Sequence, residues 1–193
     1  MRTSERIASV ENKTMATKTA ITWEEFQAAG EEWQRWEYVD GEIEFMSPAN
    51  NLHGFVIFRL HAPLIKFCET HPEWIGFTGD VAFTMRTGNW RCPDAALVRA
   101  ERYPGRKVPA TPADFPPDAV FEVISPSDTV ANIQAKQKEY QENGAVQVWI
   151  NPVKRIAEVI YPDRPAQYFG ENQPLVVDTL PDFSLNLKDL FSV

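Results

Sequence analysis

Apolar positions along the chain change their period several times, and each change predicts an element. Residues 1–20 carry no apolar period and are expected to form a disordered polar lead-in, with Met15 a candidate start. In "TWEEF", Thr22 and Glu25 make a capping box that opens a short helix. "RWEYVDGEIEFM" holds two strand-like runs around Asp40-Gly41, a hairpin signal. From about Asn51 to Glu69, Leu52, Val56, Leu60 and Leu64 recur at helical spacing, and His71-Pro72 ends the pattern. Runs at about 74–79, 81–86 and 95–98 predict strands. Residues 103–117, with five prolines and Gly105, predict a surface loop.

The second half is more regular. A strand over 119–124, a helix over about 128–143 stopped near Gly144, and a strand over 146–150 make a strand–helix–strand unit. Such a unit favours a right-handed parallel crossover. "IAEVIY" and "AQYF" add antiparallel strands, and "LKDLF" a terminal turn of helix. The order implies an α/β fold: a mixed β-sheet flanked by helices, with an N-terminal β-hairpin extension, in one domain over 21–193.

Composition narrows the class. A chain of 193 residues suits one domain with a sizeable core. With 44% hydrophobic residues it reads as globular. Two cysteines, Cys68 and Cys92, are too few for a zinc site or a disulfide scaffold. No secretory signal and no bilayer-length apolar run stands out, so a cytoplasmic protein without a membrane segment is expected. The net charge of −8 counts against avid, non-specific nucleic-acid binding. It leaves a nuclease open, because metal-binding carboxylates add negative charge and the ion offsets it.

The candidate chemistry begins at "DAVFEVISPSD". Glu122 interrupts an apolar strand, where an unpaired carboxylate is costly. On the following helix Ile133, Lys136 and Tyr140 share one face, while Lys138 points away. That face packs back over the sheet, so a lysine and a carboxylate meet on the buried side. One reading is a structural ion pair, or a lysine that snorkels out. "RCPDAALV" supports another, because Asp94 opens a further short apolar strand. Two carboxylates and a lysine at strand ends suit a divalent-metal phosphodiesterase. Hard oxygens hold Mg²⁺ or Mn²⁺, the metal acidifies a water, and the lysine stabilises developing negative charge.

"WEYVDGEIEFMSP", "CPDAALV", "FEVISPSD" and "VWINP", in that order, resemble the Uma family of restriction-endonuclease-like proteins, within the PD-(D/E)XK nuclease superfamily. The resemblance runs from about residue 21 to 192. It implies a restriction-endonuclease-like fold and a Mg²⁺- or Mn²⁺-dependent endonuclease acting on DNA as a homodimer. It makes Asp94 and Glu122 metal ligands, with the Val123 carbonyl nearby and Glu37 completing the shell. Ile124 stands where the common motif has its lysine, and Lys136 takes that role from the helix. His53 matches a family histidine that would orient a phosphate or water, or cap the helix. Asn132 and Asn151 depart from aspartates common among relatives.

Other features carry weaker expectations. Ser125 and its neighbours through Asp128 would offer backbone N–H groups to a phosphate, or simply cap the helix. Arg86, Arg91, Arg102, Arg106 and Lys107 form the densest basic stretch, either tracking a phosphate backbone or lying solvated. His61 and His71 are expected at the surface. Trp149 is expected in the core, and exposed tryptophans at a subunit interface. The alternative to catalysis is a non-catalytic oligomerisation or interaction module on the same fold. Hydrolysis of another phosphoester is a third reading.

Overall fold

The computed structural model describes residues 19–20, 36–46 and 49–192. Most of the lead-in, the capping box at Thr22 and Glu25, Trp23 and Trp33 lie outside these residues. The chain divides into two compact units, Met1–Met46 and Ser47–Val193.

The first unit contains β1 (Thr19–Ala20), β2 (Trp36–Val39) and β3 (Glu42–Phe45). β2 and β3 form the expected hairpin, with Val39 opposite Glu42. Asp40 and Gly41 both have positive φ, 52° and 82°. Two such residues give the turn whose twist matches that of paired strands. Thr19 and Ala20 were expected in the disordered lead-in; they instead pair with Ile43 and Glu42.

The second unit opens with α1 (Asn51–Thr70), capped by the Asn50 side chain, which accepts the His53 N–H at 3.0 Å. Val56, Leu60, Leu64 and Phe67 form its buried stripe. Leu52 is in register with that stripe but exposed. At the other end the His71 ring stacks on Phe67 with centroids 4.4 Å apart, so His71 is half-buried rather than a plain surface residue.

Next come β4 (Trp74–Thr78), β5 (Phe83–Thr84), β6 (Trp90–Arg91), β7 (Ala95–Arg99) and β8 (Ala119–Val123). β6 was not foreseen. α2 (Val130–Glu142) and β9 (Val146–Asn151) complete the strand–helix–strand unit. β10 (Ile156–Ile160), β11 (Gln167–Gly170), β12 (Pro174–Val176), β13 (Ser184–Asn186) and α3 (Leu187–Phe191) follow. α2 starts at Val130 rather than near Asp128, because Thr129 takes the cap and accepts the Asn132 N–H at 3.1 Å. β12 and β13 pair with each other and were also missed.

Six strands form one sheet in the order β11-β10-β9-β8-β7-β4. β8 and β9 are parallel, and the other neighbours are antiparallel. The sheet is therefore mixed, as expected. Strand period sorts side chains to its two faces. Ala95, Leu97, Phe121 and Val123 join the α1 residues in one apolar cluster. Ala96, Val98, Val120 and Trp149 join Tyr140 of α2 in the other. Burial on both faces explains why β7, β8 and β9 read as mainly apolar runs, interrupted by Glu122 in β8 and Gln147 in β9. The proline-rich loop over 103–117 is mostly exposed but pinned by buried Tyr103 and Ala113.

Candidate active site

β7 and β8 run antiparallel with Ala95 opposite Phe121. One step outward sets Asp94 opposite Glu122. Opposed residues put their side chains on one face, with Cβ atoms about 5 Å apart. Pro93 holds Asp94 just before the strand, and the Asp94 carboxylate closes the ladder. Its Oδ2 accepts the Val123 N–H at 2.8 Å. On the other side, β4 pairs Thr78 with Ala95, so Gly79 lies opposite Asp94. A Cβ on Gly79 would stand 3.3 Å from both Cα and O of Asp94. The absent side chain lets the chain approach that closely.

His53, in the first turn of α1, brings Nε2 to 3.3 Å from Asp94 Oδ2. Its pKa is raised above the usual 6.5. The hydrogen bond to the Asp94 side chain is the main cause, opposed by burial. The Asp94 charge, a bond to the Val123 backbone and the Asp128 charge add to the rise. Its Nδ1 is buried without a hydrogen-bond partner.

Glu122 is buried, at 7% exposure. Its Oε1 accepts the Tyr140 hydroxyl at 2.8 Å and lies 3.9 Å from Lys136 Nζ. Tyr140 and Lys136 are four apart on α2, hence on one face. The Lys136 side chain is 20% exposed, whereas that of Lys138 is 75% exposed and pairs with Glu142. Asp94, Val123, Glu122, Lys136 and His53 thus come together at one end of β7 and β8. Tyr140 belongs with them. Its signal in the sequence is its place on the Lys136 stripe, where a buried hydroxyl needs a partner.

The remaining candidates each have their own local setting. Glu37 is buried on β2 of the first unit, opposite Glu44 of β3. The N–H groups of the Ser125 turn are used within it. Ser125 N–H goes to Asp128 Oδ2 at 2.7 Å and Asp128 N–H to Ser125 O at 3.0 Å. Ser125 Oγ meets Ser127 Oγ at 3.0 Å and accepts from Asn50 at 3.5 Å. Asn132 is exposed, and Asn151 accepts the Lys154 N–H in a turn.

The basic stretch is not one surface. Arg91 is buried against Glu139 at 2.6 Å. Arg102 pairs with Asp118 at 3.2 Å and lies over the Phe115 ring. Arg106 donates to the Pro72 carbonyl. His61 is half-buried, with its Nε2 buried and unpartnered. Trp74, Trp90 and Trp149 are buried and Trp36 is half-buried, so no described tryptophan is an exposed interface candidate.

Comparison with known proteins agrees with this architecture. Residues 23–188 match the family Uma2, described as "Putative restriction endonuclease". The fold is similar to the crystal structure of a "putative nuclease belonging to DUF820" from Anabaena variabilis. The TM-score is 0.78 at 19% identity, covering 89% of this chain and 97% of that one. No curated protein matches.

Proposed function

This chain belongs to the Uma2 family, and from that premise we propose that it is a metal-dependent endonuclease hydrolysing DNA phosphodiester bonds. The observation that supports this is the pairing of Asp94 with Glu122 across β7 and β8, with Lys136 3.9 Å from Glu122. Mg²⁺ keeps several of its waters and is commonly bound through one or two carboxylates. Asp94, Glu122 and the Val123 carbonyl therefore suit it. Among the described residues no group of three or more His, Cys, Asp or Glu side chains is arranged for a metal. Water and phosphate oxygens would complete the shell. The place already attracts positive charge, since Asp94 and the Val123 backbone together raise the His53 pKa.

Bound Mg²⁺ or Mn²⁺ would supply charge at the phosphate and an acidified water. The chain's own residues hold the geometry. The Val123 N–H fixes Asp94, and Tyr140 fixes Glu122. Lys136 brings an ammonium to within 3.9 Å of the same oxygen, where it can stabilise negative charge developing on a phosphate. His53 holds a proton beside Asp94. DNA is the proposed substrate and a cytoplasmic homodimer the proposed form, since duplex cleavage takes two sites.

One observation favours a second reading, a non-catalytic interaction module on this fold. Glu122 Oε1 and Asp94 Oδ2 are already met by Lys136 and His53 within the protein. A plasmid-nicking assay with Mg²⁺ or Mn²⁺, joined to Mn²⁺ calorimetry, separates the two. Nicking that is lost in both Glu122→Gln and Lys136→Ala is expected. Wild-type activity that survives in both variants sinks the assignment. Absence of Mn²⁺ binding and of nicking favours the module.

A further inference from the structure

Lys136 depends on α2 for its position, and α2 has little apolar surface with which to hold itself. Its stripe offers Ile133 and Tyr140, while Val130 is 70% exposed. Polar contacts supply the rest of the grip. Glu139, three residues after Lys136, is a buried carboxylate. Its Oε2 lies 2.6 Å from Arg91 Nε. Its Oε1 accepts from Asn89 Nδ2 at 2.7 Å and from Thr87 Oγ1 at 2.9 Å. One turn later Asn143 Oδ1 accepts the Arg86 N–H at 2.8 Å, and Asn143 Nδ2 donates to the Glu139 carbonyl at 2.8 Å. Arg86 Nη1 reaches the Glu142 carbonyl at 3.3 Å.

These partners of the Glu139 carboxylate, the Glu142 carbonyl and Asn143 Oδ1 all come from residues 86–91, the turn and returning strand of the β5–β6 ribbon. Gln147 of β9 adds a separate bond to the Gln137 carbonyl at 2.9 Å. That turn has its own frame. Met85 N–H bonds to the Asn89 carbonyl at 2.8 Å, and Gly88, at φ 87°, bonds back to Met85 at 2.9 Å.

We propose that the β5–β6 turn is a positioning device for Lys136, acting through the buried Glu139–Arg91 pair. Glu139 and Arg91 are positioning residues for the reaction at Asp94 and Glu122, and the inference rests on the proposed nuclease reading. The geometry makes rotation of α2 the sensitive variable. A turn of about 15° about the helix axis carries a side-chain tip about 6 Å out through about 1.5 Å. Lys136 Nζ already stands 3.9 Å from Glu122 Oε1, so a shift of that size ends the pairing. Displacements of about 1 Å at a reacting group cost on the order of 100-fold in rate. A buried ion pair is poor value for stability alone, since apolar replacements of similar volume are often neutral. Fixing one rotation of a polar helix is a use for it that apolar packing does not supply.

The test replaces the pair by apolar residues, Glu139→Leu with Arg91→Met, and reads two quantities. Carbene footprinting by mass spectrometry reports the exposure of Lys136 relative to Lys138. Nicking kinetics report kcat and KM. The double variant is expected to fold, to label at Lys136 several-fold more than wild type, and to lose kcat about 100-fold at unchanged KM. Wild-type labelling and wild-type kcat in the folded variant overturn the proposal. If the double variant fails to fold, Thr87→Val removes one neutral donor from Glu139. It should shift both readouts in the same direction by less, and no shift again overturns the proposal. If the wild type does not nick DNA, the nuclease reading fails, and the footprint alone decides whether the turn positions Lys136.

Discussion

Removing the Tyr140 hydroxyl tests whether Glu122 is held as a charged group by its surroundings. Tyr140 is fully buried and donates to Glu122 Oε1 at 2.8 Å. Tyr140→Phe keeps the ring, so it opens no cavity and removes only the hydroxyl that donates to Glu122. Hydrogen bonds to charged partners contribute about 1.5–3 kcal/mol, against about 1 kcal/mol for neutral pairs. For a chain of this length, about 2 kcal/mol lowers Tm by about 4–8 °C. Tyr161 is the internal control. It too is fully buried, but its hydroxyl accepts the Asp178 N–H at 3.0 Å and lies 3.4 Å from Gln167 Oε1. The donation to Gln167 is long and therefore weak, leaving one well-formed neutral bond, so Tyr161→Phe should lose about half as much, about 2–4 °C. Scanning calorimetry of the two variants at neutral pH gives the comparison directly. A Tyr140→Phe loss equal to or smaller than that of Tyr161→Phe refutes the reasoning, because the carboxylate would then add nothing to the bond.

Three further outcomes follow from the geometry. Gly79→Ala crowds the Asp94 backbone, with contacts of 3.3 Å to Cα and O, and should cost about 1–3 kcal/mol in denaturant unfolding; an unchanged midpoint contradicts the close approach. The His53 pKa is raised by Asp94, so protonated His53 adds stability that is complete below about pH 6.5 and fades as pH rises through its higher folded value. Proton NMR should place its titration above 6.5 in wild type and lower in Asp94→Asn, and an unmoved titration contradicts the pairing. Gly144, at φ 82°, ends α2 in a left-handed conformation, so Gly144→Ala should cost about 1–2 kcal/mol, read as a drop in Tm.

What the sequence disclosed divides along physical lines. Long periodic segments were legible: α1 from its four-residue apolar spacing, the β2–β3 hairpin from Asp40-Gly41, and β8–α2–β9 from the apolar runs on either side of a helical stripe. β6, β12 and β13 were not, because two- or three-residue strands are too short to show a period. The start of α2 shifted because Thr129 and Asp128 can both cap, and the structure uses Asp128 to close the Ser125 turn instead. The nearness of Lys136 to Glu122 was readable from helix phase and strand order. The Glu139–Arg91 pair was not, since nothing local marks Arg91 as buried among neighbouring exposed arginines. Gly79 was equally silent, because its meaning lies in a cross-strand register that brings it opposite Asp94.

The placement of the lysine has a further consequence for the architecture. Residue 124 lies just past β8 but continues its pairing through its N–H to the Ile150 carbonyl, so Ile124 points to the same side as residues 120 and 122. A lysine there would be fixed by the strand ladder. Instead Ile124 packs with Ile133 and Tyr140 in the α2 cluster. The strand position thus supports the helix, and the helix carries the charge. With Glu122 on the strand and Lys136 on the helix, the distance from ammonium to carboxylate is set by how α2 is seated on the sheet. A polar helix with two apolar anchors needs additional constraints to hold one seating, and the buried contacts of Glu139 and Asn143 supply them at its C-terminal half. The charged pair that packing energetics would leave out thereby serves the seating of the helix that carries Lys136.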